Sequence, residues 1–141
     1  VVGFFLCYYM IVKRTNTDVI ANLGGIAQQA PKFATIFLII VLANVALPLT
    51  NSFVGEFLIL MGVFQFNKTL AIVAGLTVIL GAVYMLKMYQ KVMYGKSSQA
   101  TEGFTDLTLS EILLFVPIII SIFLVGVYPS FVLQLLETTI K

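Results

Sequence analysis

A single acidic residue, Glu56, lies within an apolar stretch (residues 33–66) that holds no other charged side chain. A carboxyl group at membrane depth is costly, and ionisable groups in such places mark ion or proton paths. Burial disfavours the charged form, so a buried carboxyl group can take up and release a proton in the physiological range. We therefore predict proton transfer at Glu56. In the alternative interpretation, Glu56 is a carboxylate at a helix start that pairs with a basic residue and serves only stability.

Lys87 is a second candidate for the same proton path. It lies about 27 Å along its helix from the Lys68 end. It is either a proton relay or a lysine whose ammonium group reaches the lipid headgroups. The axial gap from Glu56 to Lys87 is about 10 Å at 1.5 Å per residue, so a link between them needs water. Neutral polar side chains that can order such water, or satisfy the local backbone instead, are Asn44, Thr50, Asn51, Ser52 and Tyr84. The sequence contains no His and one Cys, so we predict no metal ligands and no catalytic residues in the redox sense.

Pro48 predicts a break in the helix that carries Glu56. Proline donates no backbone hydrogen bond and restricts the residue before it, and the three polar residues at 50–52 bond readily to the local backbone. The stretch 33–66 would span roughly 50 Å as one helix, against a hydrocarbon core of about 30 Å. We predict one discontinuous helix, 33–46 and 53–66, with an extended break at 47–52. The alternative for Pro48 is an ordinary kink. Irregular backbone at this depth requires protein or a wet cavity around it.

The elements around this site are those of a polytopic helical membrane protein. The chain is 60% hydrophobic and 10% charged, whereas soluble domains are nearer a quarter charged. The predicted fold is an all-α transmembrane bundle with one proline-broken helix, a fragment of a larger fold. Its predicted segments are a partial helix (1–12), a loop (13–32), the broken helix (33–66), helices at 69–94 and 107–128, a loop between them (95–106) and a C-terminal segment (129–141). A short helix is plausible at 19–23, and the C-terminal segment has amphipathic spacing.

Lysine and arginine residues predict the orientation. Most of the basic side chains lie in residues 13–32 and around the C-terminal end of the helix predicted at 69–94. If the helices alternate in direction, both regions lie on one side of the membrane. The positive-inside rule then makes loops 13–32 and 95–106 cytoplasmic, with Lys68 on the opposite side.

The segment LANVALPLTNSFVGEFLILMGVFQ resembles helix 12 of the antiporter-like proton-pumping membrane subunits of respiratory complex I. The flanking segments RTNTDVIANLGGIAQQAP and GAVYMLKMYQKVMYG resemble that family's loop 11–12 and helix 13. Glu56 is similar to the glutamate of the subunit M (chain 4) type, whereas the L and N types and the cation antiporters typically carry lysine. One departure is the run Leu49-Thr50-Asn51-Ser52, where the family often has a glycine-containing run, so we expect a stiffer loop with the break preserved.

The resemblance implies a proton-translocating subunit of NADH:quinone oxidoreductase, with Glu56 as its terminal proton-transfer group in an outlet half-channel. It implies that NADH, FMN, iron–sulfur clusters and quinone bind in other subunits and that no cofactor binds this chain. The implied partners are L- and N-type homologues and the lipid bilayer, with no nucleic acid. A bacterial inner membrane is favoured, with mitochondrial or plastid membranes as alternatives. The competing functions are a subunit of an Mrp-type cation/proton antiporter and a structural membrane scaffold.

Overall fold

A computed structural model describes residues 1–130 and 134, and this part of the chain is helical without any β-strand. A 3₁₀ turn, Ile20–Asn22, lies in the first connection, where a short helix was predicted. The fold prediction of an all-α bundle with one broken helix is confirmed. The described residues include the α-helices α1 (Val2–Thr15), α2 (Ile26–Gln29), α3 (Pro31–Asn44), α4 (Asn51–Phe66), α5 (Lys68–Met93) and α6 (Leu109–Val127).

Among the described residues, two helices are long and apolar enough to cross a membrane, namely α5 with 26 residues and α6 with 19 residues. Helices α3 and α4 have 14 and 16 residues, so each rises only about 21–24 Å and neither crosses a core of about 30 Å alone. Together they supply the discontinuous span that the sequence predicts.

The break between α3 and α4 begins with a Schellman motif rather than with a proline clash. The N–H of Leu47 donates to the carbonyl of Leu42 at 3.1 Å, and the N–H of Ala46 donates to the carbonyl of Ala43 at 3.4 Å. Ala46 has the left-handed φ of 56° that this motif requires. Pro48 follows two residues later and prevents the helix from resuming. The break therefore covers residues 45–50, two residues earlier than predicted.

Side-chain caps fix the starts of three helices. Asn67 accepts hydrogen bonds from the N–H groups of Thr69 and Leu70 at the start of α5, and Thr108 forms a capping box with Glu111 at the start of α6. The first amides of α3 are capped from far along the chain. Asp106 accepts from the N–H of Phe33 at 3.0 Å and from that of the preceding lysine at 3.3 Å.

The buried core lies at the end of the bundle where segments 16–30 and 94–108 meet, which we call the loop end. Aromatic rings form its centre: Phe33 lies 5.5 Å from Phe104, and Phe37 lies 5.6 Å from Tyr89, measured between ring centroids. The hydroxyl of Tyr89 donates to the carbonyl of Ala34. The opposite end, around Asn67, is the turn end. Helix α4 has no buried residue, and the buried residues of α5 all lie at the loop end.

The two loops predicted to share one side of the membrane are in direct contact at the loop end. The hydroxyl of Thr101 donates to the carbonyl of Gly24 at 2.8 Å, and the N–H of Gly25 donates to the carbonyl of Tyr94 at 3.3 Å. A Cβ on Gly25 would lie 2.6 Å from the hydroxyl oxygen of Ser97, so this contact requires glycine. The predicted amphipathic segment 129–141 lies almost wholly outside the described residues.

Candidate functional site

Glu56 is half-buried and lines a cleft of about 450 Å³ between α4 and α5. Among the described residues, its carboxylate has no hydrogen-bond or ion-pair partner. In the alternative interpretation Glu56 pairs with a basic residue, and the described residues supply no such partner. The other lining residues come from the end of α3 and the middle of α5: Asn44, Val45, Thr77, Val78, Gly81, Ala82, Tyr84 and Met85.

The position of Glu56 along the bundle follows from its partners on α5. Thr77 and Gly81 lie near the centre of the 26-residue helix α5, so the carboxylate lies about halfway across it. Helix α4 starts at Asn51 with Thr50 as its N-cap, and no acidic residue lies in its first turn. Because the helix dipole acts mainly on the first turn, it contributes little at Glu56.

The polar residues of the break divide between two clefts. Asn44 lines the cleft of Glu56 and also a second cleft of about 410 Å³, which Asn51 and Ser52 line together with α1 and α6. Thr50 instead faces inward, is 2% exposed, and donates its hydroxyl to the carbonyl of Leu47 at 2.7 Å. The structure thus places Asn44 beside Glu56 and uses Thr50 to close the backbone of the break.

Leu49 has a φ of 78° in the break. This conformation is left-handed and costs a side-chain-bearing residue roughly 1–2 kcal/mol relative to the normal regions. Glycine would adopt this conformation without that cost.

Gly126 on α6 contacts the backbone of the break. A Cβ at this position would overlap the carbonyl of Leu49 and would lie 2.7 Å from the carbonyl carbon of Thr50. Helix α6 also carries Pro117, which lines the cleft of Asn51 and Ser52, and Ser121 donates its hydroxyl to the Pro117 carbonyl at 2.7 Å. Sequence reasoning missed both residues. Pro117 could have been identified as an internal proline in an apolar run. Nothing near Gly126 in the sequence indicated that it contacts the break.

Lys87 does not line the cleft of Glu56. It is exposed and lines a separate cleft of about 540 Å³ together with Lys91 and Tyr84. Tyr84 is the one predicted polar residue that lines both clefts. The structure therefore brings together Glu56, Asn44 and Tyr84, and leaves Lys87 beyond Tyr84 toward the loop end.

An ion pair at the loop end holds α1 against α6. Both carboxylate oxygens of Glu111 accept from Nη2 of Arg14 at 2.8 Å, and Nε of Arg14 donates to the hydroxyl of Thr105 at 3.2 Å. The side chains are 13% and 25% exposed. The sequence reading did not identify this pair, although opposite charges at neighbouring span ends were a signal for it.

Comparison with known proteins assigns the broken helix and its carboxylate to a family. The family described as "NADH:quinone oxidoreductase/Mrp antiporter, TM" matches residues 1–81, which include α1, the break and Glu56. The chain belongs to this family. Membership of a transmembrane family, with two apolar helices of spanning length, makes it an integral membrane protein.

Members of this family are similar to the chain over nearly its whole length. NADH-ubiquinone oxidoreductase chain 4 of Marchantia polymorpha is 42% identical over 140 residues, which are 99% of this chain and 28% of that protein. NADH-quinone oxidoreductase subunit M of Rickettsia typhi is 39% identical, with the same coverage of each chain. The chain thus spans little more than a quarter of the length of these relatives.

A solved structure shares the fold. One chain of respiratory complex I from Thermus thermophilus with bound NADH is 36% identical with a TM-score of 0.79. The similarity covers 86% of this chain and 25% of that one.

Proposed function

We propose that this chain is part of a subunit M (chain 4) type membrane subunit of NADH:quinone oxidoreductase, in which Glu56 transfers protons. The observation that carries the proposal is a carboxylate with no partner among the described residues, which lines a cleft halfway along α5, beside a break in the membrane helix. Intramembrane carboxyl groups beside broken helices are typical of ion and proton transport sites. The similarity to subunits named M and chain 4 supports the choice of complex.

Proton transfer at Glu56 needs only the exchange of one O–H bond. The carboxylate accepts a proton from a hydrogen-bonded donor, and the neutral acid later donates it to an acceptor in the same cleft. A volume of about 450 Å³ has room for several waters, each of which occupies roughly 30 Å³. The side chains of Asn44, Thr77 and Tyr84 can hold such waters in place. In this proposal, protons leave Glu56 toward the Lys68 side of the membrane.

The redox chemistry of the complex takes place in other subunits. NADH, FMN, the iron–sulfur clusters and quinone bind there, and the energy reaches Glu56 through contacts between membrane subunits. Homologues of the L and N types are the proposed neighbours in the bilayer. The loop end, which carries Lys87, Lys91 and Lys96, faces the cytoplasm of a bacterium or the corresponding compartment of an organelle.

Glu56→Gln in the full-length subunit tests the function. Glutamine keeps the shape and cannot exchange a proton, so proton pumping and coupled quinone reduction should fall while NADH oxidation by an artificial acceptor stays normal. Glu102→Gln is the matched control, because Glu102 is an exposed loop residue whose carboxylate has no partner among the described residues. Normal pumping by Glu56→Gln would count strongly against the proposal.

A cation/proton antiporter of the Mrp type is the second candidate, because the matching family covers both kinds of protein. Such a subunit would work without NADH. Sodium-dependent proton transport in vesicles that lack the oxidoreductase would favour it, whereas transport that depends strictly on NADH and quinone would exclude it.

A further inference from the structure

Two lysines and an apolar wall line the cleft of about 540 Å³ near the loop end of α5, which we call the lysine cleft. Lys87 and Lys91 lie four residues apart and therefore share one face of the helix. Leu80 and Val83 of α5 and Ile20 of the 3₁₀ turn supply apolar surface in the same cleft. The lysine cleft thus joins two positive charges to a strip of apolar side chains.

The lysine cleft lies where the hydrocarbon core of the membrane meets the headgroups. Lys87 is about 27 Å along α5 from the Lys68 end, and Lys91 is one turn farther, at about 33 Å. A hydrocarbon core of about 30 Å measured from that end finishes between the two lysines. Tyr84 and Leu80 lie about 5 and 10 Å nearer the turn end than Lys87, within the acyl-chain region. The charges therefore lie at headgroup depth and the apolar strip lies at acyl-chain depth.

The two ammonium groups have no acidic partner in the described part of the chain. The ion pair found there joins Arg14 to Glu111. No acidic residue of the described ranges lines the lysine cleft. Asp18 lies close in sequence to the 3₁₀ turn, but it lines a neighbouring cleft and is in no ion pair within these ranges. Because like charges four residues apart on a helix repel each other, an anion between the two lysines would relieve this repulsion.

The apolar strip of the lysine cleft is open to its surroundings. Leu80 is 67% exposed on α5, and Ile20 is 43% exposed in the first connection. Tyr84 lines the same cleft at a depth where tyrosine rings commonly meet the membrane interface. A small anion such as free phosphate would neutralise the lysines and leave this apolar surface uncovered. An amphipathic anion with a long apolar chain covers both parts.

We propose that the lysine cleft binds an anionic phospholipid, with the phosphate between the ammonium groups of Lys87 and Lys91 and an acyl chain along Leu80 and Val83. Basic pockets beside membrane helices on the cytoplasmic side bind anionic headgroups, and that leaflet is the one rich in anionic lipids. The positive-inside rule places the loop end on the same side. A phosphate between the two lysines keeps both protonated, so Lys87 holds lipid and does not relay protons. The inference does not depend on proton transfer at Glu56.

Photolabelling of the intact complex tests the lipid site. The complex is reconstituted in phosphatidylcholine vesicles with a subsaturating amount of phosphatidylglycerol that carries a diazirine on one acyl chain, and labelled peptides are identified by mass spectrometry. We expect label on residues 80–84 of α5, and more of it than from a phosphatidylcholine probe with the same diazirine. The double variant Lys87→Gln/Lys91→Gln in the full-length subunit should reduce this label roughly 30-fold, because each lysine near a membrane surface contributes a factor of about five.

Two further double variants serve as controls for this experiment. Lys13→Gln/Lys96→Gln removes the same net charge from exposed loop-end positions that do not line the lysine cleft, and it should label like the native complex. Lys87→Arg/Lys91→Arg keeps both positive charges in the cleft and should also retain the label. Native gel electrophoresis checks that each variant assembles into the complex.

Three outcomes would overturn the lipid site. Equal label in Lys87→Gln/Lys91→Gln and Lys13→Gln/Lys96→Gln would show that the lysines act only as general surface charge. Equal label from the two probes in the native complex would show contact with bulk lipid without recognition of the headgroup. Absence of label on α5 from either probe would show that protein covers the cleft in the intact complex. The last two comparisons use the native complex, so they decide even if a variant fails to assemble.

Discussion

Gly126→Ala introduces one methyl group where α6 contacts the break. The atoms that it meets are the carbonyl groups of Leu49 and Thr50, which belong to the backbone and cannot rotate away as a side chain can. Restoring contact to about 3.5 Å from the Thr50 carbonyl carbon, now at 2.7 Å, requires a displacement of roughly 0.8 Å, and the Leu49 oxygen requires more. We therefore expect α6 or the start of α4 to move.

The cost of this methyl group follows from two opposing effects. Overpacking of a close contact costs about 1–3 kcal/mol, and backbone contacts belong at the upper end of that range. Replacing glycine by alanine within a helix recovers about 1 kcal/mol. The net loss is about 2 kcal/mol, which changes the ratio of folded to unfolded protein roughly 30-fold. Pumping should fall as well, because the displaced segment leads directly into α4 and Glu56.

The buried thiol of Cys7 provides the assay, since it is 0% exposed in the fold. A thiol reagent added at increasing temperature, with the labelled peptide quantified by mass spectrometry, should modify Cys7 at a lower temperature in Gly126→Ala. Gly62→Ala and Gly75→Ala are matched controls on α4 and α5, because a Cβ at either position meets nothing within 4 Å. If Gly126→Ala labels at the same temperature as these two variants, the contact does not constrain the break and the reasoning is refuted.

Two further predictions concern stability and use the same labelling assay. Leu49→Gly should raise the free energy of unfolding by about 1 kcal/mol, because glycine adopts φ of 78° without strain. Leu47→Gly is the control, and it should lower the free energy of unfolding because Leu47 lies outside the left-handed region. Equal effects of the two substitutions would contradict the strain at Leu49. Arg14→Met should cost about 1–2 kcal/mol, a value between those of exposed and fully buried ion pairs, since it leaves the carboxylate of Glu111 without its cation. Lys13→Met is the control with a change within about 0.5 kcal/mol, and a similar loss in both variants would show that the pair contributes nothing specific.

The break could be predicted from sequence because its causes are local. Pro48 and the three polar residues at 50–52 restrict the backbone by local effects, and the length of the stretch 33–66 fits no unbroken span. The two-residue offset also has a local cause. The Schellman motif that ends α3 has Ala46 in its left-handed position, and alanine gives no sign of the conformation that glycine would have signalled.

The contacts that hold the break and the loop end in place are not local and could not be predicted in this way. Gly126 meets Leu49 across more than seventy residues of chain, and Asp106 caps α3 from 73 residues away. Tyr84 was identified as a polar residue near the site, but the clefts that it lines depend on how α5 packs against α1, the first connection, and α3. Spacing along one helix carries no information about such packing.

The cap of α3 by Asp106 has a consequence for the biogenesis of this membrane region. The amides of residues 32 and 33 emerge from the ribosome before their acceptor, which follows 73 residues after Phe33. At roughly 5–20 residues per second, they wait about 4–15 seconds for it. During that interval α4 and α5 are synthesised, so the N-terminus of α3 gains this cap only after the hairpin that follows it has left the ribosome.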